Sequence, residues 1–238
     1  MVSPILPMNM QGGVVKRRGK TVLGPVDLAI SRAGFTIILG PNGSGKTTLL
    51  RALHGLERLS AGQISWQTEL GQAQRQQAFV FQTPIMMRRS LRDNLAYPLQ
   101  LQRMGETAVQ EAVEDWADRI GLHAALDRPA PQLSGGEKQK LALARALIRA
   151  PQIVFLDEPC ANLDGRATRE IETILQNAQA NGTRILMATH DIGQAKRLGT
   201  DVIFLLRGKI TETGEAQNFF AGPTTAEAAA LLRGDIVE

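Results

Sequence analysis

A glycine-rich segment containing one lysine and one threonine is the first feature of this sequence that could do chemistry. It fits the pattern G-x-x-x-x-G-K-[ST] and consists of Gly40, Pro41, Asn42, Gly43, Ser44, Gly45, Lys46 and Thr47. Glycines let backbone N–H groups approach an anion, and a helix that follows them adds the positive end of its dipole. We therefore predict a nucleotide phosphate site, in which Lys46 reaches the β- and γ-phosphates and the Thr47 hydroxyl binds Mg²⁺. Thr48 follows directly and is included among the residues that could contact the nucleotide, although its position in the helix is the simpler explanation.

Two carboxylates follow a short apolar run in the last third of the chain. Asp157 and Glu158 come directly after Ile153 to Leu156, so a buried strand would deliver them at its carboxyl end, where α/β folds bind ligands. We predict that Asp157 holds Mg²⁺ through water and that Glu158 orients or deprotonates the water that attacks the γ-phosphate. An isolated Asp-Glu pair would more often be a cap or a turn. The phosphate loop is what favours a catalytic role here.

A serine followed by two glycines and a glutamate opens the next polar segment. Ser134 and Glu137 have the spacing of a capping box, which would simply begin a helix. Gly135 and Gly136 are costly in a first helical turn and leave backbone N–H groups exposed, an arrangement that suits a phosphate. Both a structural cap and an anion contact fit these residues.

Taken together, these segments resemble the ATP-binding subunit of ABC transporters. Leu133 to Glu137 is similar to the signature sequence of that family, and the resemblance extends from about Val14 to Phe220. It implies ATP and Mg²⁺ as ligands. It also implies that Ser134, Gly135 and Gly136 of one copy face the γ-phosphate held by a second copy. The resulting expectation is a homodimer that closes around two ATP molecules, with neither chain holding a complete site.

Three further residues match this family one by one. Gln82 resembles the glutamine that contacts Mg²⁺ and the attacking water, His190 the switch histidine at the γ-phosphate, and Asp164 the aspartate of a loop that communicates across the dimer. Each alone would more often be a surface or turn residue, and their order and spacing favour the functional interpretation. His54 and His123 have no such match and are interpreted as structural.

Several positions depart from the family pattern. Arg18 stands where an aromatic residue usually stacks on adenine, and its planar guanidinium could stack instead. We therefore predict weaker adenine stacking or a relaxed choice of base. Lys138 and Lys140 replace the usual glutamine and arginine, and Cys160 and Ala161 replace small hydroxyl residues. We expect these changes to tune the site without abolishing it.

Hydrophobic patterning indicates an α/β fold with a helical insertion. The apolar run Phe35 to Leu39 predicts a strand covered on both faces, whereas the three-to-four-residue period from Val109 to Ile120 predicts a helix that Gly121 stops. Together with the family resemblance, this pattern implies a P-loop NTPase core with a mixed, mostly parallel sheet flanked by helices. An N-terminal antiparallel β region and an inserted α-helical subdomain complete it. We predict a single domain over 1–238, with the core at 1–82 and 151–238 and the helical subdomain at 83–150.

Composition narrows the classes of protein further. The chain has 238 residues, and its longest apolar runs fall far short of the roughly 20 residues that a membrane-spanning helix needs. Met1 to Met10 lack the features of a secretory signal, so no export is expected. The single cysteine excludes an internal disulfide and a multi-cysteine metal site. A net charge of +4 is modest; it could favour anionic lipid surfaces or nucleotides, but dispersed charge of this size is more typical of a solvated surface.

The family resemblance implies a transport motor at the cytoplasmic face of the inner membrane, bound peripherally. Its expected partners are a second copy, transmembrane permease subunits and an extracytoplasmic solute-binding protein, with no nucleic acid. Thr83 to Leu91 is a candidate docking surface, because methionines adapt to a partner helix, although Met86 and Met87 could equally be core. The segment from Pro84 to Leu99 resembles ATP-binding subunits of importers that carry oxyanions such as tungstate or molybdate.

Two other classes of protein are disfavoured. ABC ATPases that work on ribosomes resemble two fused cassettes, and those that work on DNA carry a long inserted coiled coil, neither of which this sequence shows. A small-molecule kinase or GTPase would not need Leu133 to Glu137, and the guanine-reading pattern N-K-x-D is missing from the sequence.

Overall fold

The computed structural model describes residues 4–235 and 237. The strands are β1 (Met8–Arg17), β2 (Lys20–Ile30), β3 (Phe35–Leu39), β4 (Ala61–Trp66), β5 (Gln77–Val80), β6 (Ile153–Asp157), β7 (Arg184–Ala188), β8 (Asp201–Leu206) and β9 (Lys209–Glu215). The helices are α1 (Lys46–His54), α2 (Leu70–Arg75), α3 (Leu91–Leu101), α4 (Glu106–Arg119), α5 (Gly135–Leu147), α6 (Gly165–Ala180), α7 (Ile192–Leu198), α8 (Ala216–Ala221) and α9 (Ala226–Arg233).

Two sheets organise the fold. The larger sheet has the order β5-β6-β7-β3-β8-β9, in which every neighbouring pair is parallel except β8 and β9. The smaller sheet is antiparallel and has the order β2-β1-β4. The predicted mixed, mostly parallel sheet and the N-terminal antiparallel region are thereby confirmed. In an open parallel sheet the carboxyl ends of neighbouring strands share one edge, which is where ligands bind.

The strands β3, β6 and β7 lie at the centre of the fold, and all of their residues are buried. Successive side chains of a strand point to opposite faces, so Ile37 and Ile38 belong to two different apolar clusters. The cluster around Ile38 includes Leu49 and Leu53 of α1 and the inner side chains of β1 and β2. Helix α1 therefore packs between the two sheets, and its first turn is fixed next to the end of β3.

The helices α3, α4 and α5 fall within the predicted helical segment at 83–150, where α3 packs against both α4 and α5. They share one apolar cluster with β3 and β6. Helix α4 stops where expected, because Gly121 adopts a φ of 66° directly after its C-cap. Short 3₁₀ turns at His123–Ala125 and Ala130–Gln132 lead into α5. The domain bounds remain a prediction, and residues 1–3, 236 and 238 within them lie outside the described part of the chain.

Within the described residues, every helix is too short or too polar to cross a lipid bilayer.

Candidate nucleotide site

The glycine-rich loop joins the buried end of β3 to α1, as its sequence predicts. Gly40 has a φ of 151°, and a Cβ at this position would overlap the carbonyl oxygen of Leu205 on β8. Only glycine fits there, because the neighbouring strand β8 leaves no room for a side chain where the loop turns. A Cβ at Gly43, by contrast, would meet nothing within 4 Å. The tip of the loop is therefore open to a ligand.

Lys46 lies beneath this loop and is 6% exposed. Its Nζ donates hydrogen bonds to the carbonyl oxygens of Gly40 at 2.9 Å and Pro41 at 3.1 Å. Burial lowers the pKa of Lys46, and the nearby carboxylates of Glu158 and Asp157 act in the opposite direction. A buried ammonium group that bonds mainly to neutral carbonyls is suited to receive phosphate oxygens.

Ser44 supplies an independent sign that the loop fits an anion. Its hydroxyl is buried and has no hydrogen-bond partner among the described residues. A buried donor without a partner is costly, so native proteins seldom retain one that no ligand or water satisfies. The hydroxyl of Ser44, the ammonium of Lys46 and the open backbone at Gly43 together fit a phosphate chain.

A hydroxyl and a carboxylate meet beside the loop. The Thr47 hydroxyl donates a hydrogen bond to Asp157 Oδ1 at 2.8 Å, and Asp157 is 3% exposed at the end of β6. Burial raises the pKa of Asp157, while the hydrogen bond from Thr47 lowers it. Hard oxygen donors of this kind suit Mg²⁺. Among the described residues no cluster of three or more acidic, histidine or cysteine side chains could hold a metal ion.

Glu158 is the centre of a second set of contacts. Its Oε2 lies 3.1 Å from Nδ1 of His190 and accepts a hydrogen bond from Nε2 of Gln82 at 3.4 Å. A carboxylate only accepts hydrogen bonds, so Nδ1 of His190 carries the proton in this contact. The three residues follow β5, β6 and β7, which are neighbours in the sheet. The structure thus brings together three residues that are far apart in the sequence.

The backbone of Glu158 is held in an uncommon conformation. Its φ is 47°, a left-handed value that costs a non-glycine residue about 1–3 kcal/mol. Its backbone N–H donates a hydrogen bond to the carbonyl oxygen of Ala188 at 3.0 Å, which ties it to β7. The side chain of Glu158 is 15% exposed, whereas that of His190 is 63% exposed. The carboxylate is therefore sheltered, and the imidazole next to it faces the surface.

The serine-glycine segment forms the N-terminus of α5. The capping box is present, since Ser134 Oγ accepts from the N–H of Glu137 at 3.3 Å and Glu137 Oε2 accepts from the N–H of Ser134 at 2.7 Å. Ser134 and Gly135 are exposed, and a Cβ at Gly135 would meet nothing within 4 Å. A Cβ at Gly136 would lie 3.2 Å from that of Ala167. The tip of α5 thus lies next to the first turn of α6.

Asp164 occupies the N-cap of α6, where its Oδ1 accepts a hydrogen bond from the N–H of Ala167 at 2.8 Å. This cap is a sufficient structural reason for an aspartate at this position. It also places Asp164 on the same surface as the tip of α5.

Arg18 lies outside these contacts, in the exposed turn between β1 and β2, with a φ of 49°. The same strand β2 passes close to the phosphate loop, because the carbonyl oxygen of Val22 would lie 3.3 Å from a Cβ at Gly45.

The sequence did not single out the residues behind His190. Thr189 donates a hydrogen bond from its hydroxyl to Oε1 of Gln194 at 3.1 Å, and both side chains are buried. The only signal in the sequence is a polar residue at the end of an otherwise mainly apolar strand.

The strand–loop–helix unit and the acidic end of β6 define a P-loop nucleotide-binding domain. The model of the ABC transporter family matches residues 23–161. The phosphate import ATP-binding protein PstB 2 of Natronomonas pharaonis is 35% identical over 237 residues, covering 92% of this chain and 84% of that protein. The tungstate uptake system ATP-binding protein TupC of Peptoclostridium acidaminophilum is 36% identical over 205 residues, covering 85% of this chain and 94% of that protein.

A solved structure agrees with these relatives. The structure of cbiO1 from Clostridium perfringens, part of the ABC transporter complex cbiONQ, has a TM-score of 0.81 and 27% sequence identity, and the match covers 91% of each chain. The chain belongs to the ABC transporter family and is an ATP-binding, ATP-hydrolysing subunit of that family.

Proposed function

We propose that this chain hydrolyses ATP with Mg²⁺ to drive solute import, as a homodimer bound to transmembrane permease subunits. The observation that carries the proposal is the convergence of Gln82 and His190 on Glu158, next to the contact between Thr47 and Asp157. A carboxylate, an imidazole and an amide are the groups needed to place and deprotonate a water molecule.

Each side chain has a distinct part in this proposal. Lys46 and the loop from Gly40 to Thr47 bind the phosphates, and the hydroxyl of Thr47 and the carboxylate of Asp157 hold Mg²⁺. When bound, Mg²⁺ supplies positive charge that neutralises the phosphate oxygens. Glu158 accepts a proton from the attacking water, and His190 and Gln82 orient that water.

The exposed tip of α5 supports a role for the second copy. Ser134 and Gly135 are exposed, and the N–H groups of a helix N-terminus attract anions. We infer that Ser134, Gly135 and Gly136 of one copy complete the phosphate site of the other. Asp164 lies on the same surface, at the start of α6, and would face the partner as well.

The segment after Gln82 is the proposed contact with the permease. Ile85 is 70% exposed, and its carbonyl oxygen accepts a hydrogen bond from Nη2 of Arg145 on α5 at 2.7 Å. Met86 is half-buried and packs against the core, so Ile85 rather than Met86 presents apolar surface to a partner. Because this segment continues directly from Gln82, movement at the nucleotide would reach it. The protein would then lie at the cytoplasmic face of the inner membrane.

An extracytoplasmic solute-binding protein would complete the importer. Relatives that are 35–36% identical to this chain are named for phosphate, tungstate, sn-glycerol 3-phosphate and ferric ion. Sequence identity to these relatives therefore does not identify the transported solute. We infer that the permease and the binding protein choose the solute.

Turnover of ATP by the purified protein tests the proposed function. Phosphate release should require Mg²⁺ and should stop when EDTA removes it. Lys46→Ala should lower turnover by about 10²-fold or more, because it removes a preorganised charge from the phosphates. Lys196→Ala, at an exposed lysine of α7, serves as the matched control and should hydrolyse ATP normally. Turnover that persists in EDTA, or in Lys46→Ala, would contradict the proposal.

The base preference tests the role of Arg18. Stacking of an exposed guanidinium on a ring contributes about 0.5–1 kcal/mol, so Arg18→Ala should raise the KM for ATP about two- to fivefold. GTP should be hydrolysed with a KM of the same order as that for ATP. Arg103→Ala is the control, since Arg103 is also exposed and has a similar φ of 57°. A strong ATP preference that survives Arg18→Ala would remove Arg18 from the base site.

A further inference from the structure

A chain of buried polar groups lies directly behind His190. Gln194 is 1% exposed and uses both ends of its amide. Its Oε1 accepts from the Thr189 hydroxyl at 3.1 Å, and its Nε2 donates to Oε1 of Glu172 at 3.3 Å. Glu172, on α6, is itself 6% exposed. We call this chain, Thr189–Gln194–Glu172, the glutamine relay.

One end of the glutamine relay shapes the loop that carries His190. The hydroxyl of Thr189 accepts a hydrogen bond from the N–H of Asp191 at 3.1 Å, and Asp191 Oδ1 accepts one from the N–H of Gln194 at 2.9 Å. The first bond spans His190, and the second caps α7 directly after it. The imidazole is exposed, so its approach to Glu158 depends on the loop behind it more than on packing around it.

The other end is anchored on α6. Arg197 donates from Nε to Oε2 of Glu172 at 3.0 Å and from Nη2 to Oε1 at 2.6 Å, a two-pronged contact that fixes the carboxylate. Asp164 caps the N-terminus of α6, on the surface proposed to face the second copy. Burial raises the pKa of the Cys160 thiol to about 11, and a hydrogen bond with Gln194 acts in the opposite direction.

We propose that Gln194 is a positioning residue that holds His190 against Glu158 and ties that contact to α6. This inference rests on the proposed catalytic roles of His190 and Glu158. Glutamine suits the position because it accepts from Thr189 and donates to Glu172 at the same time. A leucine would do neither, and a glutamate would place two carboxylates next to each other.

The experiment compares Gln194→Leu, Thr189→Val and the double variant, with ATP turnover measured over a range of concentrations. Each single variant should lower kcat about tenfold and leave the KM for ATP within twofold. The double variant should be no slower than either single variant, because residues that act as one unit do not add. Gln176→Leu, at an exposed glutamine of α6, is the matched control and should hydrolyse ATP normally.

A charge swap provides the rescue. Gln194→Glu alone should be slow, because it sets a second carboxylate beside Glu172. Adding Glu172→Gln exchanges donor and acceptor, so that the amide now donates to the carboxylate, which still accepts from Thr189. The swapped pair should be faster than Gln194→Glu alone but slower than the parent protein, because the amide introduced by Glu172→Gln can accept only one of the two hydrogen bonds from Arg197. A swapped pair no faster than Gln194→Glu would contradict the donor-and-acceptor requirement.

Imidazole NMR spectra show whether the effect is local, since the chain has 3 histidines. In Gln194→Leu the signals of His190 should shift or broaden, and those of His54 and His123 should stay in place. Movement of all three sets of signals, an unchanged kcat, or single effects that multiply in the double variant would each overturn the inference.

If His190→Ala and Glu158→Gln hydrolyse ATP normally, the proposed function has failed. If they are slow and Gln194→Leu is normal, only the positioning role has failed.

Discussion

Glu158→Gln is expected to lower ATP turnover by about 10²- to 10⁴-fold, the usual contribution of a general base, and to leave ATP binding intact. Glutamine has nearly the shape of glutamate, and its carbonyl oxygen can still accept from His190 and Gln82. It cannot take a proton from water. The phosphate loop and Lys46 are unchanged in this variant, so the affinity for ATP should stay within a few-fold of the parent protein.

Phosphate release and equilibrium binding of ATP, measured on the same preparation, check this expectation. Glu111→Gln makes the same chemical change at an exposed position on α4 and should leave turnover unaltered. Near-normal hydrolysis by Glu158→Gln would refute the role of Glu158 as the base. Loss of ATP binding would show instead that its carboxylate mainly supports the fold of the site.

Ser134→Arg is expected to abolish hydrolysis in a protein that still binds ATP through its own loop. The tip of α5 is exposed in one copy, so an arginine there has room to extend. In a closed pair of copies the same arginine would occupy the space next to the partner's γ-phosphate. We expect turnover to fall by about two orders of magnitude or more, the effect of removing a transition-state contact.

The control for this variant must account for the lost helix cap. Removing Ser134 from the capping box costs about 1 kcal/mol of stability. Thr225→Arg removes the N-cap side chain of α9 in the same way and should retain hydrolysis. Normal turnover by Ser134→Arg would mean that α5 does not contribute to a nucleotide site. Failure to bind ATP would mean that the variant disturbs its own copy.

The sequence predicts the parts of this molecule that depend on local patterns. The run Phe35 to Leu39, the glycine loop and the helix after it follow from hydrophobicity and backbone freedom alone. The capping box at Ser134 is equally local, because its two bonds join residues three positions apart. Gly121 ends α4 for the same kind of reason.

The contacts that depend on strand order could not be predicted from the residues. Gln82, Glu158 and His190 meet because β5, β6 and β7 are neighbours in the sheet. The pattern of apolar runs specifies strands but not their order. Only the family resemblance pointed to these three residues together.

Sequence patterns also did not predict which charged residues are buried. Arg184 begins β7 and is 2% exposed, yet arginine ordinarily marks a surface. It pairs with Asp201 of β8 at 3.1 Å and bonds to Thr36 of β3. The glutamine relay could not be predicted for the same reason. Glutamate and glutamine usually lie on the surface, and only the packing of α6 against α7 brings Glu172 and Gln194 together.

Closure of two copies around ATP is the central step of the proposed mechanism. The mass of Glu158→Gln in solution, measured by light or X-ray scattering with and without ATP and Mg²⁺, tests it. We predict a mass of 25.8 kDa without nucleotide and twice that value with saturating ATP. Adding Ser134→Arg should return the mass to that of a single copy. A mass that stays at one copy with ATP, even in the presence of the permease subunits, would contradict the account.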